Sequence, residues 1–189
     1  MDEQLNFKPK FEAFSREPPT DARSIELREI IANSTGIEKQ KLEAEYIRTG
    51  NWNKDLSAKN TITAIGFQAI GNRLTGQSTY ALTSFPYFAW SNGTTDPTAA
   101  DTATTFYADG TKWGTKAVTT IDVFDAVNYK QAWECFLSTT DNQVASITKF
   151  ALMNATPGTI MFNSVEFAPL SKTSSIERYL VYTLTMSQI

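Results

Sequence analysis

Six stretches of the chain alternate apolar and polar residues: TITAIGFQAI (61–70), KAVTTIDVF (116–124), YKQAWECFL (129–137), SITKFALM (146–153), TIMFNSVEF (159–167) and RYLVYTLTM (178–186). A period of two places every second side chain on the same face of a strand, so each stretch predicts a half-buried β-strand. Thr, Val, Ile, Phe and Tyr dominate them, residues that suit a pleated surface. In the last stretch Leu180, Tyr182, Leu184 and Met186 share one face, and Tyr179, Val181, Thr183 and Thr185 share the other. Turn signals separate the runs: Asn92-Gly93, Asp109-Gly110, Asp141-Asn142, Pro157-Gly158 and PLSKTSS (169–175). FYADGTKW (106–113) predicts a tight hairpin, because Asp-Gly accepts the positive φ of a type I′ turn. Seven or eight short antiparallel strands at this spacing predict a mainly β fold, an antiparallel β-sandwich or jelly-roll-like domain over 61–189.

The first sixty residues follow another pattern. NFKPKFEAFSREPP (6–19) carries Phe7, Phe11 and Phe14 as apolar beads on a polar segment, and Pro9 with Pro18-Pro19 opposes a long helix. An extended or single-turn arm is expected. TDARSIELREIIANSTG (20–36) predicts a helix with Thr20 or Asp21 as N-cap, Ile25, Leu27, Ile30 and Ile31 as an imperfect apolar stripe, and Gly36 near its stop. A second helix starts at TGIE, where Thr35 and Glu38 match a capping box, and runs to Gly50. Neither helix has enough apolar surface to stand alone. Two arrangements are open: a helical hairpin folded on its own domain, or an arm docked on a neighbouring subunit. Phe7, Phe11 and Phe14 are the candidate partner-binding anchors of that arm, with Lys8, Lys10, Arg16 and Glu17 setting register at the rim.

Charge sharpens the division. Residues 1–60 hold 11 acidic and 10 basic side chains, whereas residues 61–189 hold 9 and 7. A two-part organisation is expected, 1–60 an N-terminal arm with two short helices and 61–189 the β-sandwich domain. Net charge is −3, without the basic footprint that a nucleic-acid partner requires, so none is expected. No stretch reaches the apolar length of a membrane span and MDEQLNFKPK lacks the build of a signal peptide, so no membrane partner is expected. The chain is expected to be made in a reducing cytoplasm.

Histidine is absent and Cys135 is the one cysteine. That removes Ser-His-Asp and Cys-His nucleophile activation and the common zinc and iron sites. Cys135 lies in an apolar run and is expected to be a buried, inert thiol. Of the remaining acids, Asp96, Asp101 and Asp109 do not have calcium-loop spacing and fit turn chemistry. Asp96-Pro97 predicts a brief helical turn before a strand at 104–107, and Asp101 closes the same turn. Asp122, Asp125, Glu134, Asp141, Glu166 and Glu177 complete the acids after Asp109; Glu134 stands out within the most apolar run, but a single carboxylate makes no hydrolase dyad. No enzyme activity, cofactor or metal is expected. Phe85, Tyr87, Phe88, Trp90 and Trp113 form a possible ligand loop able to stack on sugar rings; the alternative is that they plug the sandwich.

FAWSNGTTDPTAADTATTF (88–106) and ITKFALMNATPGTIMFNSVEFAPLSKTSSIERYLVYTLTMSQI (147–189) together resemble a family of β-sandwich modules in tailed-virus virion proteins. In that family G-x-G-T-T-x-P-x-x-x-D-T-A follows an early strand, and N-A-x-x-G-G-T-M-F and K-T-S-S come later. Gly93, Thr94, Thr95, Pro97, Asp101, Thr102 and Ala103 match the first segment. Ile147, Thr148, Leu152, Asn154, Ala155, Gly158, Thr159, Phe162, Phe167, Lys172, Thr173, Ser174 and Ser175 match the later ones. Pro157, Met153 and Ile176-Glu177 depart from the pattern. The resemblance covers about 80–189 and implies a non-enzymatic structural protein of a phage particle, assembled in the host cytoplasm. Its implied partners are other virion proteins, capsid or tail subunits, together with self-association. Capsid decoration is preferred over a head–tail, neck or tail position, because a small module with an anchoring arm suits the clamping of capsomers. The other function class is a carbohydrate- or receptor-binding β-sandwich module.

Overall fold

A computed structural model of the chain describes residues 5–75, 85–121, 125, 127–141, 143–155, 158 and 160–188. Among them the chain forms two five-stranded antiparallel sheets. Sheet A contains β1 (Leu5–Arg16), β2 (Asn53–Lys59), β6 (Thr120–Ile121), β7 (Lys130–Leu137) and β10 (Glu177–Gln188), in the order β2-β1-β10-β7-β6. Sheet B contains β3 (Thr61–Ile62), β4 (Tyr87–Ser91), β5 (Trp113–Ala117), β8 (Ser146–Met153) and β9 (Met161–Ser171), in the order β3-β9-β8-β4-β5. Four helices join them: α1 (Ala22–Asn33), α2 (Gly36–Ile47), α3 (Ala64–Thr75) and α4 (Ala103–Ala108).

The sheets pack face to face, as the alternation of β7 to β10 predicts. Trp133, Cys135, Leu180, Tyr182 and Leu184 of sheet A meet Phe88, Trp90, Phe150, Leu152, Phe162 and Phe167 of sheet B in one buried cluster. Trp133 stands 5.8 Å from Phe162 and 5.3 Å from Tyr182 between ring centres.

The expected arm is part of this sandwich. β1 pairs along its whole length with β10, from Leu5↔Gln188 to Arg16↔Glu177, and on its other side with β2 from Lys10 onward. Phe7, Pro9, Phe11 and Ala13 take one face of β1, and Lys8, Lys10, Glu12 and Phe14 the other, because a strand turns alternate residues outward. The expected boundary at residue 60 is a change of composition, and strand pairing crosses it.

The hairpin of α1 and α2 folds onto the outer face of sheet A. Phe14, Tyr179 and Phe136 lie in register across β1, β10 and β7 on that face. Leu27, Ile31, Tyr46 and Ile47 close over Phe136 and Tyr179, with Trp52 beside them. Asp21 caps α1 as expected, accepting from the Ser24 N–H at 2.9 Å. Thr35 is the N-cap of α2, but its side chain makes no capping hydrogen bond, so the expected box is not formed.

Two expected strands are helices. Of TITAIGFQAI only Thr61–Ile62 is strand; α3 begins at Ala64, where Thr63 Oγ1 accepts from the Gly66 N–H at 3.1 Å. Gly66 is required there, since a Cβ would sit 2.1 Å from the Phe162 carbonyl oxygen. The residues at 104–107 lie in α4, which Thr102 and Thr105 start with a reciprocal capping box. FYADGTKW is therefore no hairpin: β4 pairs with β5 across the long connection 92–112. Gly110 does take a positive φ, +104°, where its backbone packs on Asn92 and Gly93. Part of KAVTTIDVF (122–124), Asn142, Pro157 and Thr159 lie outside the described residues.

Candidate functional site

The three arm phenylalanines do not form one surface. Phe11 is 1% exposed, with ring centres 4.7 Å from Phe150 and 5.4 Å from Phe167 across the inter-sheet core. Phe14 lies on the opposite face, 5.7 Å from Tyr179, near the α1–α2 hairpin. Phe7 and Phe14 are both half-buried, and Phe7 stands edge-on to the exposed Phe67 of α3 at 6.3 Å. The three cannot act as one set of anchors for a neighbour's pockets, because Phe11 is buried in its own core and the half-buried Phe7 and Phe14 lie on opposite faces of β1.

The possible ligand loop is corrected in the same way. Phe85, Phe88 and Trp90 are buried in the core, 5.1 Å from Phe162 and 5.9 and 6.5 Å from Phe150 respectively. Tyr87 is half-buried on the outer face of sheet B beside Ala89 and Met153. Trp113 is exposed, with its ring centre 4.7 Å from Tyr107. The five rings face both sides of β4 and offer no shared stacking platform.

The aspartates build the connection between β4 and β5. Asp109 accepts from the Thr94 and Thr95 N–H groups at 3.2 and 3.1 Å and from Thr95 Oγ1 at 3.0 Å, and pairs with Lys149 Nζ at 2.7 Å. Burial would raise its carboxyl, but Lys149 and these donors hold it below the usual carboxylate range. Asp101 closes the turn at Thr98 through the backbone N–H and Oγ1. Asp96 is exposed. Thr148 Oγ1 donates to the Gly93 carbonyl, and Lys149 Nζ to the Thr95 carbonyl at 2.9 Å. The two halves of the resemblance, some fifty residues apart in sequence, are stitched together at these atoms. Among the described residues no group of three or more acidic, histidine or cysteine side chains could hold a metal ion. No described helix is long and apolar enough to cross a membrane.

The other acids take structural positions. Asp125 accepts from the Val127 and Asn128 N–H groups, and Asp141 from the Ser138 N–H. Glu134 is half-buried opposite Val181, and Glu166 faces Lys149 across β8 and β9. Asp122 is outside the described residues. Cys135 is fully buried, and burial pushes its thiol pKa far up, which keeps it protonated and unreactive.

Charge is concentrated where the helical hairpin meets sheet A. Arg16 Nε donates to Glu177 Oε2 at 2.9 Å, Tyr46 OH donates to Glu177 Oε1 at 2.9 Å, and the guanidinium lies between the Tyr46 and Trp52 rings at 4.4 and 4.1 Å. Lys116 Nζ reaches Glu43 at 2.8 Å and Asp141 at 3.1 Å, and Thr119 Oγ1 donates to the same Glu43. A cleft of about 350 Å³ opens beside these groups, with Phe136, Glu43 and Glu177 among its walls.

Lys172 belongs to the same region. It is fully buried and donates to the Thr173 carbonyl at 3.0 Å. Burial lowers its pKa to about 8, with Asp141 and Glu177 opposing and Arg178 and Lys116 adding to the shift. The unfolded chain therefore binds this proton more tightly than the folded one, and stability should rise as pH climbs from about 8 towards ~10.4. Lys172→Met should abolish that rise and raise the urea midpoint at neutral pH. An unchanged pH profile in the variant would locate the effect elsewhere.

The other half of the outer face of sheet A is open. A cleft of about 660 Å³ is lined there by Phe7, Lys8, Pro9, Lys10, Lys59 and Asn60, with Thr183 and Thr185 of β10 behind them. Lys10 and Lys59 stand directly opposite each other on neighbouring strands. Like charges in that relation are destabilising. Lys10 is paired with Glu12, which Lys54 shares, whereas Lys8 and Lys59 have no ion-pair partner among the described residues. Lys130, aligned with Thr185, adds another exposed lysine to the face. Both polar atoms of the Asn60 side chain are buried without a hydrogen-bond partner. Sequence reasoning noted Lys8 and Lys10 as rim charges but missed Lys59 and Asn60, since only the β1–β2 register brings them together.

The chain matches no family model, no curated protein and no solved structure.

Proposed function

We propose that this chain is a non-enzymatic structural protein of a tailed-phage virion, in contact with other virion subunits and with capsid decoration as its preferred position. The observation that carries this reading is the stitching of the two resemblance segments by Thr148 to Gly93 and Lys149 to Thr95. The residues that carry the resemblance hold the framework. Thr102 caps α4, Asp101 closes a turn, Asn154 bonds the Ile160 backbone, and Ile147, Leu152 and Phe162 fill the core. A pattern of this kind serves a rigid module. Both fully buried carboxylates, Glu43 and Glu177, bond a cation and a hydroxyl on other elements, which fastens the layers.

Attachment through the arm is revised. Phe11 is enclosed by its own domain and Phe7 and Phe14 face opposite sides of sheet A, so contact with neighbours runs through surface that the sandwich leaves open. The carbohydrate- or receptor-binding alternative keeps only Trp113 of its five aromatic residues at the surface.

Quantitative mass spectrometry of purified particles tests the reading. A copy number comparable with the major capsid protein is the expected result. A small ring number, set by cyclic symmetry, would move the protein to the neck or tail. Absence from particles of the virus that encodes it would overturn the virion reading.

A further inference from the structure

Strand β2 pairs with β1 only from Lys10 onward, so, among the described residues, positions 5–9 of β1 have β10 on one side and no strand on the other. The chain turns away at Asn60 into β3 of the other sheet. Among the described residues this leaves an open lane in line with β2, and the 660 Å³ cleft adjoins it along Phe7 to Lys10 and at Lys59 and Asn60. We propose that it accepts an extended acidic segment of a partner subunit as an added strand beside β1.

Pairing to an open edge supplies the main-chain hydrogen bonds of such a complex. Pro9 sits in this unpaired part of β1 and lacks an N–H, as a residue beside an open edge can. Lysine and proline on an edge also repel chance strand partners. Here they discriminate: a neutral or basic strand meets Lys8, Lys10 and Lys59 unfavourably, and an acidic strand neutralises them. It also relieves the Lys10/Lys59 opposition, which no ion pair among the described residues offsets at Lys59. The amide of Asn60, a donor and an acceptor without partners, stands at the end of the lane, where a peptide backbone offers both. Next to the lysines, Phe7 and the exposed ring of Phe67 form an apolar rim on which alternate side chains of the incoming strand can rest.

That the partner is a protein subunit rests on the structural reading above; the strand-addition chemistry does not. The test therefore uses purified full-length protein and a short synthetic peptide of alternating glutamate and valine, followed by titration calorimetry. Binding is expected, weakened by ~10-fold or more in Lys8→Glu with Lys59→Glu and by raised salt, and retained in Lys41→Glu on the helical hairpin. The same peptide with alternate backbone nitrogens methylated keeps its charge and should lose binding. Equal binding by the methylated peptide would reduce the interaction to charge attraction, and tight competition by pyrophosphate would make the cleft a small-anion pocket; either overturns the proposal. So does binding of an alternating lysine–valine peptide as tightly as the acidic one. None of these outcomes alters the particle census, so the two readings fail separately.

Discussion

A chain that begins at Asn60 will not melt cooperatively. Its composition is that of a complete β domain, yet it lacks β1, α1, α2 and β2, and β1 lies inside sheet A between β2 and the central β10. Removing it exposes the edge of β10 over twelve residue pairs and uncovers the core at Phe11 and Ala13. Burial of Phe11 alone is worth ~1.5–3 kcal/mol. Loss of α1 and α2 also strips Leu27, Ile31, Tyr46 and Ile47 from Phe136 and Tyr179 on the outer face. Against a total stability of about 5–15 kcal/mol these losses are decisive. Circular dichroism and calorimetry of the shortened chain should show no sharp transition, and in the full chain Phe11→Ala should cost ~3–5 kcal/mol. A cooperative β-type melt from the shortened chain would show that residues 61–189 fold by themselves.

The second large effect is expected at Arg16 and Glu177. This pair joins the last residue of β1 to the first of β10 and ties both to the helical hairpin through Tyr46 and the Thr49 carbonyl. Removing one member strands the other charge in a buried site. Arg16→Met and Glu177→Gln should each lose ~3–5 kcal/mol in urea unfolding. The double variant Arg16→Met with Glu177→Gln should lose clearly less than the sum, since no buried charge is then left unpaired. Methionine also keeps an apolar contact between the Tyr46 and Trp52 rings. Simple additivity of the two single losses would mean that the pair is not coupled.

Strands β7, β8, β9 and β10 were legible because large apolar residues alternate over eight or more positions and turn residues bracket them. β1 alternates as well, Phe7, Pro9, Phe11 and Ala13 against Lys8, Lys10 and Glu12. Pro9 and the charges hid it, because both weigh against a strand unless part of it borders open space. α3 carried a second signal that the alternation masked: Ile62, Ile65, Ala69 and Ile70 also repeat as a helical face, and Thr63 is a ready N-cap. α4 was short enough that its one turn-and-a-half of Thr and Ala showed no period. The aromatics of 85–90 were assigned to a loop because their partners, Phe150 and Phe162, lie some sixty and eighty residues away. The lysine cleft was invisible for the same reason, since it exists only in the register Lys10↔Lys59.

The pairing of Leu5 with Gln188 also sets the order of events during synthesis. The longest ladder of sheet A joins β1 to β10, so it forms only once β10 has emerged from the ribosome. Until then β1 has only β2 for company, and Phe11 has no Tyr182 beside it to complete the wall of the core. A contact separated by nearly the whole chain closes a large loop late and makes folding slow. The exposed intermediate is prone to aggregation at high concentration. Loss of a few residues from the C-terminus should therefore lower the soluble yield of newly made protein more than the stability of the folded form would suggest.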